Sequence, residues 1–243
     1  MDFIIKKPHD YIVFPLDMPE FDRVTRYVEL LKGHVGLFKV GLELFISQGP
    51  DILKAINEIA ENKIFLDLKL HDIPATVTRS FLAASAYGAE FVTIHCDMGE
   101  GFLKEVAVSN PGNTKLLAVT VLTSLNRENL RNLGHEQRYI DDLSQMVLLK
   151  ARIAREAGCH GIVCSGKEVS KVRGEFGSDF IIVAPGIRPA WASVNQDDQK
   201  RIVTPAQAVE AGADFIVVGR PIRDDSDPVK AAERIAEEIA SVL

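Results

Sequence analysis

The sequence predicts an α/β protein built as a single-domain (β/α)8 TIM barrel over residues 1–243. Three observations carry that expectation. Eight β-rich runs occur, each followed by a stretch of helical periodicity, with no linker or low-complexity break. The β-rich runs are apolar at odd and even positions alike, as in strands buried on both faces of a parallel sheet. The chain has 243 residues, close to the ~250 that eight such units require. An open doubly wound sheet is the competing topology, but no GxGxxG follows the first run.

The units follow one another in order. YIVFPLD (11–17) precedes the amphipathic EFDRVTRYVELL, and LFKVGLELF (37–45) precedes PDILKAINEIAE. KIFLDLKL (63–70) leads into ATVTRSFLAASAYG, and FVTIHC (91–96) into GFLKEVAVS. KLLAVTVL (115–122) precedes a long segment ending in IDDLSQMVLLKARIAREAG. GIVCS (161–165) precedes KEVSKVRGEFG, FIIVAPGI (180–187) a polar loop and TPAQAVEAGA, and DFIVVGR (214–220) the last helical stretch, DPVKAAERIAEEIASVL. Pro15 gives up a ladder donor and is expected near the end of the first strand.

Composition narrows the function. The chain is 47% hydrophobic and 26% charged, which suits one large domain with a sizeable core. A net charge of −6 argues against general affinity for nucleic acid or an anionic membrane, while leaving room for a local cationic pocket. No apolar run approaches the ~20 residues of a membrane span. The first residues hold no long apolar signal region. Cys96, Cys159 and Cys164 form no CxxC pair and no zinc spacing, which fits a reducing compartment. A cytoplasmic protein is expected.

In a barrel of this kind, chemistry sits at the C-terminal ends of the strands. The polar residues expected there are Asp17, Lys39, Asp67, Lys69, Asp72, Thr123, Ser124, Arg188, Gly219 and Arg220. The stretch FLDLKLHDIPATV (65–77) is the densest. Leu66, Leu68 and Leu70 alternate with Asp67, Lys69 and His71, so period two sets leucines on one face and charges on the other. With Lys39 on the neighbouring strand, Asp67 and Lys69 form a row in which each charge compensates the next. A structural ion-pair network is the bland alternative, but a charged row lining a cleft is the favoured functional reading. Arg188 and the pair Gly219-Arg220 read as a phosphate grip after strands seven and eight: glycine allows close approach, and arginine supplies a fork of donors. PAWASVNQDDQKRIV after Arg188 reads as a lid over that phosphate, or as an ordinary surface loop. His71 and His95 receive no role. Metal-ligand clustering, a nucleophile elbow and a Walker loop are absent, so no cofactor is expected.

These residues resemble a known family. FLDLKLHDIPATV, FKVG, VTVLTS, PGIRP, DQKRIVTP and VVGRPI are similar, in order and spacing, to the signatures of orotidine 5′-phosphate decarboxylases. The resemblance implies conversion of orotidine 5′-monophosphate to uridine 5′-monophosphate and carbon dioxide, in pyrimidine synthesis, without a cofactor. It implies Lys69 as proton donor and Asp67 as the carboxylate facing the substrate's own. It assigns Lys39 and Asp17 to the ribose, Thr123 and Ser124 to the pyrimidine edge, and Arg188, Gly219, Arg220 and Gln199 to the phosphate, with Gln196 as the alternative to Gln199. It implies a homodimer in which Asp72 and Thr76 reach the partner's site, Asp72 completing a Lys39–Asp67–Lys69–Asp72 network. Ala75 stands where members often carry asparagine. A related sugar-phosphate decarboxylase, metal-assisted, shares the DxKxxD core but has an acid at the Lys39 position. A non-catalytic phosphoribosyl-binding barrel is the reading from another class.

Overall fold

The computed structural model describes residues 6–61, 63–112, 114–192 and 203–243. Eight parallel strands close into a barrel in sequence order, each hydrogen-bonded to the next and the last to the first. They are β1 (Ile12–Pro15), β2 (Leu37–Gly41), β3 (Ile64–Leu70), β4 (Phe91–His95), β5 (Lys115–Val119), β6 (Gly161–Val163), β7 (Ile181–Ala184) and β8 (Phe215–Val217). Pro15 is the last residue of β1, where its missing donor costs least.

Two apolar layers follow from the strand parity. Val13, Leu37, Phe65, Phe91, Leu117, Val183 and Val217 cluster inside the barrel. The opposite parity, including Phe14, Phe38, Leu66, Val92 and Leu116, joins the larger core between sheet and helices. That outer core takes the buried faces of the helices, such as Val24, Val28 and Leu31 of α1 (Phe21–Leu31). Lys39, Asp67 and Thr93 each lie two residues beyond a member of the interior cluster, and so form the next layer up, at the mouth.

Several local expectations are corrected. The second strand stops at Gly41, and LELFISQ is a short helix, α2 (Leu42–Gln48), ahead of α3 (Asp51–Ile59). The fifth strand ends at Val119, so Thr123 and Ser124 stand in the turn after it. The first ends two residues before Asp17. Strict alternation along 65–71 also fails. Leu66 pairs with Val92 but Leu70 pairs with Ile94, so four steps of β3 oppose two of β4. The surplus is absorbed by a bulge in which Lys69 takes φ 50°; it is the one non-glycine with positive φ among the described residues. α4 (Pro74–Ala86) begins four residues after the strand, with Pro74 at its first position. The remaining helices are α5 (Glu100–Ser109), α6 (Arg127–Asn132), α7 (Gln137–Asp141), α8 (Leu143–Glu156), α9 (Val169–Phe176), α10 (Pro205–Glu210), α11 (Arg220–Arg223) and α12 (Pro228–Ala240).

At the closed end, the Lys6 ammonium lies over the rings of Tyr11 and Phe215, 3.9 and 3.7 Å from their centres, and donates to the Asp214 carbonyl. Burial outweighs the nearby carboxylates of Asp214, Asp10 and Glu90 and brings its pKa down to about 8. Between pH 8 and the ordinary lysine value the unfolded chain holds a proton that the folded chain has lost, so this group makes stability rise with pH across that window. The wild type should therefore gain in Tm relative to Lys6→Met as pH goes from 8 to 10. A difference in Tm that stays flat over that range would refute the account.

Candidate active site

A cleft at the C-terminal mouth of the barrel has two halves. The first, about 260 Å³, is lined by Asp17, Lys39, Gly186, Arg188, Gly219, Arg220 and Arg223, among others. The second, about 190 Å³, is walled by Phe65, Val119, Val121, Val163 and Val217, with Asp67, Lys69 and Thr123 at its edge. Lys39, Pro185 and Val217 line both halves and join them.

Asp67 stands in the second half beside Lys39, 7% exposed. Its Oδ2 lies 2.7 Å from Lys69 Nζ and 3.6 Å from Lys39 Nζ. Lys39 Nζ also donates to Asp17 Oδ1 at 3.2 Å. Burial alone would raise the Asp67 pKa; Lys39, Lys69 and the hydrogen bonds from Lys69 and Thr93 outweigh it and hold the carboxyl below its usual range. Burial alone would lower Lys39; the carboxylates of Asp67 and Asp17 outweigh it and hold the ammonium above the usual lysine value. Asp67 and Lys39 are therefore both charged at neutral pH. Their positions follow from strand parity and from the register Pro15↔Lys39 and Gly41↔Asp67.

Lys69 reaches Asp67 by a different route. Its backbone is in the bulge, and its N–H donates to the hydroxyl of Thr93 on β4 at 2.9 Å. The same hydroxyl donates to Asp67 Oδ1 at 3.0 Å. Sequence reasoning passed over Thr93, since threonine is an ordinary strand residue. The available signal was its interior parity, two residues after Phe91.

Arginines converge on the first half. Arg188 is buried, its N–H bonded to the Val203 carbonyl at 3.0 Å and Nη1 to the carbonyl of Ile187 at 2.9 Å. Arg220 opens α11 next to Gly219, where an added Cβ would meet Pro15 Cγ at 2.8 Å, so only glycine lets β8 exit so close to β1. Arg223, not expected from the sequence, also lines this half. Asp224 holds its guanidinium by two contacts, 2.7 and 3.1 Å, and its Nη1 faces the Asp17 carbonyl at 3.4 Å. The arrangement presents a multiply cationic recess beside a small apolar slot, with an ordered ammonium–carboxylate pair between them.

The other expected residues fall as follows. Thr123 lines the apolar half, and Ser124 beside it is exposed. Asp72 lines neither half of the cleft: its Oδ1 accepts from the Ile73 N–H at 2.6 Å, and it lines a shallow groove with His71, Ile73, Pro74, Met98 and Phe102. Thr76 is in the first turn of α4, its N–H bonded to the Ile73 carbonyl at 3.1 Å. Gln196 and Gln199 lie outside the described residues. Trp191, near the start of that stretch, is stacked under Arg234 of α12 at 3.9 Å. Among the described residues, no three His, Cys, Asp or Glu side chains converge on a metal-sized site, and no helix is long and apolar enough to cross a membrane.

The chain matches the orotidine 5′-phosphate decarboxylase / HUMPS family over residues 10–235. It is 47% identical over 239 residues to an orotidine 5′-phosphate decarboxylase of Desulfosudis oleivorans, covering 98% of this chain and 96% of that one. It is 43% identical over 237 residues to the enzyme of that name from Gloeothece citriformis, covering 96% and 99%. Among solved structures, the crystal structure of orotidine 5′-phosphate decarboxylase from Lactobacillus acidophilus superposes with a TM-score of 0.80 at 36% identity, over 94% of this chain and 98% of that one. The likeness runs through all eight βα units, and the chain belongs to the orotidine 5′-phosphate decarboxylase / HUMPS family.

Proposed function

We propose that this protein decarboxylates orotidine 5′-monophosphate to uridine 5′-monophosphate, as the printed names of its relatives suggest, using no cofactor. The observation that carries the reading is the Lys39–Asp67–Lys69 row at the junction of an arginine-lined recess and a small apolar slot. The recess suits a phosphate and the slot a pyrimidine. A ribose spanning the two passes Lys39 and Asp17.

The chemistry follows from the charges. The bond from C6 to the carboxylate breaks, carbon dioxide leaves, and the electron pair stays on C6 of a ring that delocalises it poorly. Lys69 holds an ammonium there in advance, stabilising the developing charge without reorganisation, and then transfers a proton to C6. It regains that proton from solvent. Asp67 faces the substrate carboxylate; two unit charges ~4 Å apart at an effective dielectric of ~20 interact by ~4 kcal/mol. Lys39 keeps Asp67 ionised while the substrate's second negative charge approaches. The metal-assisted sugar-phosphate reading is disfavoured because Lys39 brings an ammonium where that chemistry uses an acid. We further propose a cytoplasmic role in pyrimidine nucleotide synthesis, and a homodimer in which Asp72 and Thr76 complete the partner's cleft. The placement of Asp72 in a separate groove and the 65% exposure of neighbouring Ile73 support a subunit interface there.

Three outcomes are expected. Purified protein should change the ultraviolet absorbance of orotidine monophosphate, and activity should survive exhaustive dialysis against a strong chelator; loss that is reversed by added metal would overturn the cofactor-free mechanism. Arg220→Ala should lower kcat/KM for the nucleotide far more than for the phosphate-free nucleoside, since only the nucleotide uses that contact. Equal losses on both would make Arg220 structural. Mixing nearly inactive Lys69→Ala and Asp72→Ala chains should restore roughly a quarter of wild-type activity, because half the dimers are mixed and each holds one intact site. No recovery after verified subunit exchange would sink the shared-site reading.

A further inference from the structure

We propose that Thr93 is a positioning residue that sets Lys69 and Asp67 in reacting alignment through its hydroxyl group; this rests on the decarboxylase reading above. A single oxygen serves both partners. It accepts from the Lys69 backbone N–H at 2.9 Å and donates its one proton to Asp67 Oδ1 at 3.0 Å. That bond fixes the rotation of the carboxylate and turns Oδ2 towards the two lysines, 2.7 Å from Lys69 and 3.6 Å from Lys39. The other bond fixes the backbone of Lys69. At the bulge, four steps of β3 oppose two of β4, and the Lys69 N–H goes to this side chain while Lys69 takes φ 50°. A non-glycine residue persists there only when its surroundings over-determine it. Thr93 is 0% exposed, so no solvent competes for the hydroxyl. Its methyl group and its hydroxyl therefore have separable duties: the first packs, the second aligns.

The test compares Thr93→Val, Thr93→Ser and Thr93→Ala on orotidine monophosphate, with KM measured beside kcat. Valine keeps the volume and loses the oxygen. Serine keeps the oxygen and loses the methyl. Alanine loses both, so serine and alanine share any packing defect. Serine should hold kcat within about threefold, while valine and alanine should lose roughly 10- to 100-fold, the scale of a small misplacement in a reacting pair. KM should stay within about threefold in all three, because the arginine half is untouched. Because Thr93 helps hold Asp67 below the usual carboxyl range, the acid limb of kcat/KM should move to higher pH in the valine variant. Wild-type kcat in Thr93→Val, or equal losses in serine and alanine, would overturn the proposal. If the valine protein does not fold, the serine–alanine pair decides alone. A crystal structure of the valine or alanine variant gives a readout independent of turnover. Lys69 still at positive φ with an unchanged Asp67 contact refutes the positioning role, whereas an inactive wild type refutes only the decarboxylase reading.

Discussion

Asp67 is the constraint around which the mouth of this barrel is arranged. Removing a carboxylate from water costs several kcal/mol even after relaxation, and the interior returns that only through well-placed partners. Here there are three, each from a different place in the chain: Lys39 from β2, Lys69 from the far side of a bulge in β3, and Thr93 from β4. Lys39 faces the same demand and meets it with a second acid, Asp17, from the loop after β1. One buried charge thus ties the exits of four consecutive strands. Neutralising Lys39, Lys69, Asp67 or Asp17 by mutation leaves its neighbours with an uncompensated charge, so substitutions in this row act on stability and on chemistry together.

The bulge in β3 answers a geometric conflict. On a regular strand, residues two apart share a face but stand well over 6 Å apart along the chain, and both would point the same way into the barrel. The left-handed residue shortens β3 locally, and the Lys69 ammonium stands 2.7 Å from Asp67 Oδ2. Such a conformation costs on the order of 1–3 kcal/mol. The surrounding β3–β4 pairing resumes at Leu70↔Ile94, which pins the bulge from above, while Leu66↔Val92 pins it from below.

What was legible in the sequence depended on periodicity. The eight strands could be read because both their faces are apolar, and Lys39, Asp67 and Lys69 because charges at interior parity are conspicuous. Leu42–Gln48 misled: its apolar residues continue the pattern of the preceding strand, and nothing local distinguishes a short helix after Gly41 from more strand. The bulge was illegible because alternation of Leu66, Leu68 and Leu70 remains regular in sequence while the backbone departs from it. Thr93 was hidden by being a normal strand residue, and Arg223 by lying beyond the Gly-Arg pair that draws attention. Asp72 breaks the alternation visibly, but a single chain gives it no place in the lining of either half of the cleft, and its proposed role needs a second chain.

In the decarboxylase reading proposed above, the division of the cleft would let binding far from the reacting carbon serve the reaction. In the half that holds Asp67 and Lys69, the charges are held by strands, a buried hydroxyl and one another, so on the proposed mechanism their electrostatic work requires no reorganisation. The anion half is built on strand exits and loops: Arg188 on the segment that pairs with Val203, Arg220 and Arg223 on the short α11. Lys39 belongs to both halves. In the proposed reaction, a phosphate drawn to the arginines would fix one end of the substrate, its middle would pass Lys39 and its ring would enter the apolar slot beside Lys69. On that proposal, affinity gained at the first half would be converted into orientation at the second, and the half that holds Asp67 and Lys69 would be relieved of any need to capture the ligand.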